Sequence, residues 1–80
     1  MFDGVCEVRR AGISPEGLAQ LDLRAADGSF DWNWYLSPPG TAREVLAVAL
    51  AAITTGKQLH VQIVDPSATW SQVVRALVVK

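Results

Sequence analysis

Apolar and polar residues alternate along most of the chain, and one continuous apolar run interrupts the pattern. From about Gly4 to Ile13, Cys6 and Val8 alternate with Glu7 and Arg9, the period-two signature of a strand with one buried face. Ser14-Pro15-Glu16-Gly17 follows, where Pro presets φ and Gly admits a positive φ, so a turn is expected. From Leu18 to Ala25 the alternation is cleanest. Ala19, Leu21, Leu23 and Ala25 share one face, and Gln20, Asp22 and Arg24 share the other. Asp27-Gly28 marks a hairpin. A third strand is expected from Phe30 to Leu36, with Phe30, Trp32, Trp34 and Leu36 on its apolar face and Asp31, Asn33 and Tyr35 on its polar face. Ser37-Pro38-Pro39-Gly40 ends it, because proline cannot donate to a sheet ladder.

The period then changes. Thr41 to Thr55 reads as a helix, with Thr41 and Glu44 spaced as a capping box and Gly56 placed to stop it. Leu46, Ala49, Leu50 and Ile53 form one stripe, and Val45, Val48 and Ala52 fall on another side. No polar residue interrupts Val45 to Ile53. A helix apolar all round is expected to be buried all round. A fourth strand, Gln58 to Val64, directs Leu59, Val61 and Ile63 one way and His60, Gln62 and Val64 the other. After the loop Asp65-Pro66-Ser67-Ala68-Thr69, a fifth strand from about Trp70 to Val79 is apolar on both faces. Val74, Ala76 and Val78 lie on one side; Val73, Leu77 and Val79 lie on the other with Arg75.

Strand-strand-strand-helix-strand-strand within 80 residues is the order of a small OB-fold, a mainly β barrel with one helix. One domain, residues 1–80, uses the whole chain. Area scaling gives a folded surface of ~4,700 Å² against ~12,500 Å² unfolded, so a lone monomer is marginal. Half the residues are apolar, and seven basic and eight acidic residues must cover the surface. This excludes disorder and points to burial against a second chain. Val45, Val48 and Ala52 on the helix, with Val74 and Val78 on the last strand, are the expected interface.

The segment Thr54-Thr55-Gly56-Lys57-Gln58-Leu59-His60-Val61-Gln62-Ile63, with the Ala-Val-Ala-Leu-Ala-Ala run before it, resembles the B subunits of pentameric bacterial toxins. It is similar in kind to the subtilase cytotoxin B subunit and its pertussis-like relatives. The resemblance implies a homopentameric ring, a glycan as ligand and a toxin A subunit as partner. Secreted members usually hold two cysteines in a disulfide, whereas this chain has Cys6 alone.

Charge and composition exclude other roles. The net charge is −1 and the basic residues are scattered apart from Arg9-Arg10, so nucleic acid is not an expected partner. The longest apolar run has nine residues, Val45 to Ile53, short of the ~20 a membrane span needs. The N-terminus shows no signal-peptide pattern. A native Met1 implies the cytoplasm, and a removed leader implies secretion.

No catalytic residue, metal site or cofactor is expected. Cys6 and His60 are the one conceivable nucleophile pair, but alternation sends Cys6 inward and His60 outward. Trp32 and Trp34 fit either a core or a stacking platform. Tyr35 with Asp31 and Asn33 offers a ring beside polar groups, the mix a sugar site uses. Trp70, at a loop-strand junction, is a further ligand-binding candidate. The reading is a non-enzymatic oligomeric binding module for glycans. The alternative is a small cytoplasmic homo-oligomer with a structural role and no ligand.

Overall fold

The computed structural model describes residues 1–79. Five strands and a helix follow in the expected order: β1 (Phe2–Ile13), β2 (Ala19–Ala25), β3 (Asn33–Leu36), α1 (Ala42–Thr55), β4 (Gln58–Ile63) and β5 (Ser71–Val79). The strands close into a barrel in the order β1-β2-β3-β5-β4. All neighbouring pairs are antiparallel except β3 and β5, which meet in parallel at Tyr35↔Ser71 and Leu36↔Gln72. The fold is a small OB-like barrel, mainly β with one helix.

β2 and β4 follow their alternation. Ala19, Leu21, Leu23 and Ala25 face inward, and so do Leu59, Val61 and Ile63. All of these but Ala25 join Cys6, Tyr35, Val73 and three helix residues in one core. At roughly 1.5–3 kcal/mol for each large apolar side chain removed from water, this cluster is the main stabilising element.

β3 departs from its expected phase. It is shorter than Phe30–Leu36, and it is Tyr35 that enters the core, fully buried. Leu21 pairs with Tyr35 and Asp22 with Trp34. Opposed residues share a sheet face, so Tyr35 must follow Leu21 inward and Trp34 must follow Asp22 outward. A barrel of five short strands has little room for two indoles. It takes one phenol, whose hydroxyl leaves the core end to donate to the Pro66 carbonyl at 2.5 Å. Phe30 still packs on this core from the preceding loop, edge-on to Phe2 and Tyr35. The chain bends at Trp32 before β3 begins, which changes the phase between Phe30 and Tyr35.

The helix is also turned from its expected orientation. Val45, Ala49 and Ala52 face the barrel, at the i, i+4, i+7 spacing of one stripe. Ala42, Leu46 and Val48 pack beside them. Leu50 and Ile53 are exposed. Val45 and Ala52, expected at a subunit interface, therefore belong to the monomer's own core, and Val48 is half-buried against it. Small side chains at Ala49 and Ala52 let the helix axis approach the barrel end, and the larger Leu50 and Ile53 are left at the rim. The capping box does not form. Thr41 makes no side-chain cap bond, and its Oγ1 instead donates to the Pro38 carbonyl at 3.2 Å. The other end is closed as expected. Gly56 adopts φ +69°, its N–H reaches Ile53 O, and the Lys57 N–H reaches Ala52 O at 2.9 Å.

Val74 and Val78 on β5 are 43% and 40% exposed. Among the described residues, no helix is long and apolar enough to cross a membrane.

Candidate functional site

The outer face of β1, β2 and β3 collects most of the arginine and all of the tryptophan in the chain. A bulge builds it. The pairing of β1 with β2 runs Val8↔Leu23 and then Arg10↔Asp22, leaving Arg9 as the extra residue. Simple alternation would send Arg10 inward; the bulge re-aims it. Arg9 and Arg10 both stand opposite Asp22, and each donates to its Oδ2. Arg9 reaches it through Nε and Nη2, both at 2.9 Å, and Arg10 at 3.1 and 3.0 Å. Asp22 is 1% exposed beneath them. Alternation sends Asp22 to the face opposite Leu21, as the structure has it, and there two guanidiniums cover it. One row further, Arg24 donates to Glu7 Oε1 through Nη2 at 2.6 Å.

The guanidiniums also cover the indoles. Arg9 and Arg24 lie 4.4 and 4.9 Å from the Trp32 ring, and Arg10 lies 5.0 Å from Trp34. Such contacts contribute about 0.5–1 kcal/mol each at exposed sites. Trp34 stacks on Trp70 at 5.9 Å, with the ring planes 25° apart. The Trp70 backbone is tied down as well, its N–H donating to Trp34 O at 2.8 Å. Trp70 has φ +68°, the one described non-glycine residue with positive φ. That conformation costs a bulky side chain of order 1–3 kcal/mol, and it points the indole outward from the loop between β4 and β5.

Trp70, 48% exposed, forms one wall of a cleft of about 430 Å³. Ser14, Pro15 and Glu16 of the first turn form the opposite wall, with Gln20 of β2 and Leu36 of β3 as lining. The first turn is tied across its neck by hydrogen bonds. Ser14 N–H donates to Leu18 O at 2.7 Å, and Ser14 Oγ accepts the Leu18 N–H at 3.2 Å. Ser37 fastens β3 to β2, its Oγ accepting from Ala19 N–H and its own N–H donating to Ala19 O. The cleft therefore combines an indole and an apolar floor with one carboxylate and one amide.

Of the four ligand-binding residues expected from sequence, only Trp70 reaches this cleft. Tyr35 is a core residue, so its ring is closed to any ligand, and burial pushes its hydroxyl up to about 12. Asn33 Oδ1 accepts from Thr69 Oγ1 at 3.1 Å and from Trp34 N–H at 2.9 Å, bracing the loop that carries Trp70. Asp31 is exposed and accepts the Trp32 N–H. Glu16, Gln20 and Leu36 carry no local signal of a site in the sequence, and the arginine–Asp22 cluster shows there only as the Arg9-Arg10 pair.

Elsewhere, Cys6 and His60 fall on opposite sides of the sheet. Cys6 is fully buried, and burial raises its thiol to about 12. His60 is outside, 2.6 Å from Asp3 Oδ1. Hydrogen bonds from Gln62 and His60 hold the Asp3 carboxyl below its usual range. Among the described residues, no three His, Cys, Asp or Glu side chains converge as a metal site would require. Set against known proteins, the chain matches no family model, no curated protein and no solved structure.

Proposed function

We propose that the protein is a non-enzymatic binding module that seats a saccharide in the Trp70 cleft and works as a homo-oligomer. The observation that carries the ligand is Trp70 itself. An indole half in solvent, braced by Trp34 and held by a costly backbone conformation, is a stacking platform built before any ligand arrives. Sugar rings present C–H faces to such a platform and hydroxyls to groups like Glu16 and Gln20. The electrostatics favour an uncharged ligand. Arg24 is matched by Glu7, and Arg9 and Arg10 share Asp22. A polyanion finds one surplus positive charge there, too little for phosphate-driven binding.

Self-association is supported by apolar side chains left in solvent, among them Leu50, Ile53, Val74, Leu77 and Val78. The resemblance to toxin B subunits adds a count of five and an A subunit as partner. The surface itself asks only for more than one copy.

A panel of immobilised saccharides, probed with labelled protein, tests the ligand. The expected result is retention on at least one saccharide, reduced tenfold or more by Trp70→Ala. Failure to bind any member of a broad panel overturns the reading and leaves the alternative of a structural oligomer without a ligand, because multivalent display detects even weak single-site contacts.

A further inference from the structure

An exposed indole on a loop is a poor platform if its ring turns freely. The bond from Trp70 N–H to Trp34 O fixes the path of the backbone but leaves the side-chain torsions of Trp70 open. The aromatic partner described for the Trp70 ring is Trp34, itself only half-buried. A stack of two surface rings is firm only if one of them is anchored. The sheet order β1-β2-β3-β5 brings Trp70 to Trp34 from the β5 side and Arg10 from the β1 side. Arg10 lies 5.0 Å over the Trp34 ring.

A surface arginine ordinarily loses much rotamer freedom when it is held in one place. Here the sheet itself holds it. Arg10 Nε and Nη2 lie 3.1 and 3.0 Å from Asp22 Oδ2, and Asp22 is 1% exposed. The strand fixes the carboxylate, the carboxylate fixes the guanidinium, and the guanidinium covers Trp34. Only the bulge at Arg9 allows this arrangement, because regular pairing turns Arg10 away from Asp22. We propose that Arg10 is a positioning residue for the Trp70 platform. It holds Trp34 against Trp70 and so orders the Trp70 ring before a ligand arrives. Arg10 does not line the cleft, so it acts through the two indoles and not by contact with the ligand. Arg9 is a control built into the chain. It shares Asp22 Oδ2 and is likewise half-exposed, but its guanidinium lies on Trp32 at 4.4 Å. The inference rests on the saccharide reading for its ligand, whereas the order of the Trp70 ring is measurable without one.

Arg9→Met and Arg10→Met each remove one guanidinium and keep an apolar stem. Each leaves Asp22 the other arginine, so neither bares the buried carboxylate. Nitrogen-15 relaxation of the indole N–H in the full chain reads the Trp70 ring directly. Its order parameter should be about 0.85 in the wild type and in Arg9→Met, and below about 0.6 in Arg10→Met. Nuclear Overhauser contacts between the Trp34 and Trp70 rings should weaken in Arg10→Met alone. Retention on the saccharide that the wild type binds best should fall about two- to fivefold in Arg10→Met, the factor that one exposed cation–π contact is worth. Arg9→Met should retain it as the wild type does. Backbone amide spectra of both variants check that the barrel is intact. Loss of indole order in both variants, or in neither, overturns the proposal, as does a wild-type ring that is already mobile. Reduced retention by Arg10→Met with an ordered Trp70 ring overturns it too, because Arg10 would then meet the ligand itself. Unchanged retention by Arg10→Met, where the wild type binds, also overturns it. A protein that retains no saccharide yet loses indole order in Arg10→Met alone overturns the saccharide reading and supports the positioning of Trp70 by Arg10.

Discussion

The outer face of β1–β3 and the flank formed by β5 and the rim of α1 are both exposed, yet they are finished to different degrees. On the first, charges meet charges and rings meet guanidiniums. Asp22 takes both arginines, Trp32 lies under two, and Trp34 lies between Arg10 and Trp70 in a chain of contacts. On the second, Leu50, Ile53, Leu77 and Val78 each leave more than a third of their surface in solvent, and none has a charged or aromatic partner among the described contacts. Surface that has satisfied itself and still keeps a cleft is suited to a small ligand. Surface that has not is suited to another protein chain. Polarity alone does not separate the two, since the first also carries three tryptophans.

Substitutions can break that contrast, and the largest effects lie beneath the first face. Tyr35→Ala should destabilise the monomer by about 3–5 kcal/mol, in the range of a large aromatic removed from a core. Its sequence neighbour Trp34→Ala should cost roughly 1 kcal/mol, the value of a partly exposed stack. Denaturant unfolding of both variants tests the strand phase directly, and equal costs would refute it. Asp22→Ala comes next, at about 1–3 kcal/mol, because two half-exposed guanidiniums lose their acceptor but keep water within reach. The same substitution should leave the mass of the native species in solution unchanged.

The pH dependence should follow the core rather than either surface. Cys6 and Tyr35 are both held protonated by burial, with pKa values raised to about 12. Above the unfolded values near 9 and 10, the unfolded chain releases protons that the folded chain retains. Stability should therefore fall as the pH rises from there to about 12, with no contribution from these groups at neutral pH. Urea midpoints at pH 7 and pH 10.5 measure this, and at pH 7 a thiol reagent should label Cys6 only as fast as the barrel opens. A smaller effect separates Trp70→Gly from Trp70→Ala. Both lose the indole, but glycine relieves the positive φ and should be more stable by about 1 kcal/mol. Smallest of all, Leu50→Lys on the rim of α1 should change monomer stability by less than about 0.5 kcal/mol.

Much of this architecture was legible in the sequence. Element order, the inward faces of β2 and β4, the opposite placement of Cys6 and His60 and the glycine stop of the helix all follow from local pattern. What was not legible depends on pairing between distant segments. The Arg9 bulge is a fact about β1 against β2, and no property of Val8-Arg9-Arg10 announces it. The phase of β3 was misread because Trp32 and Trp34 are more hydrophobic than their neighbours, yet pairing with β2 and the size of the barrel decided for Tyr35. The helix was misread because every residue from Val45 to Ile53 is apolar, so periodicity could not say which stripe faces in. The cleft was half legible. Trp70 stood out by its position, while Glu16, Gln20 and Leu36 become neighbours only when the barrel closes.

The stacking of Trp34 on Trp70 has an optical consequence. Two indoles 5.9 Å apart, with ring planes 25° apart, are close enough to couple, so far-ultraviolet circular dichroism should show a pair of bands of opposite sign. That exciton signal should overlap the region from which strand content is read. A ring sliding over Trp70 would tilt one indole against the other and change that signal without any added dye. The loop between β4 and β5 would then report its own occupancy through circular dichroism.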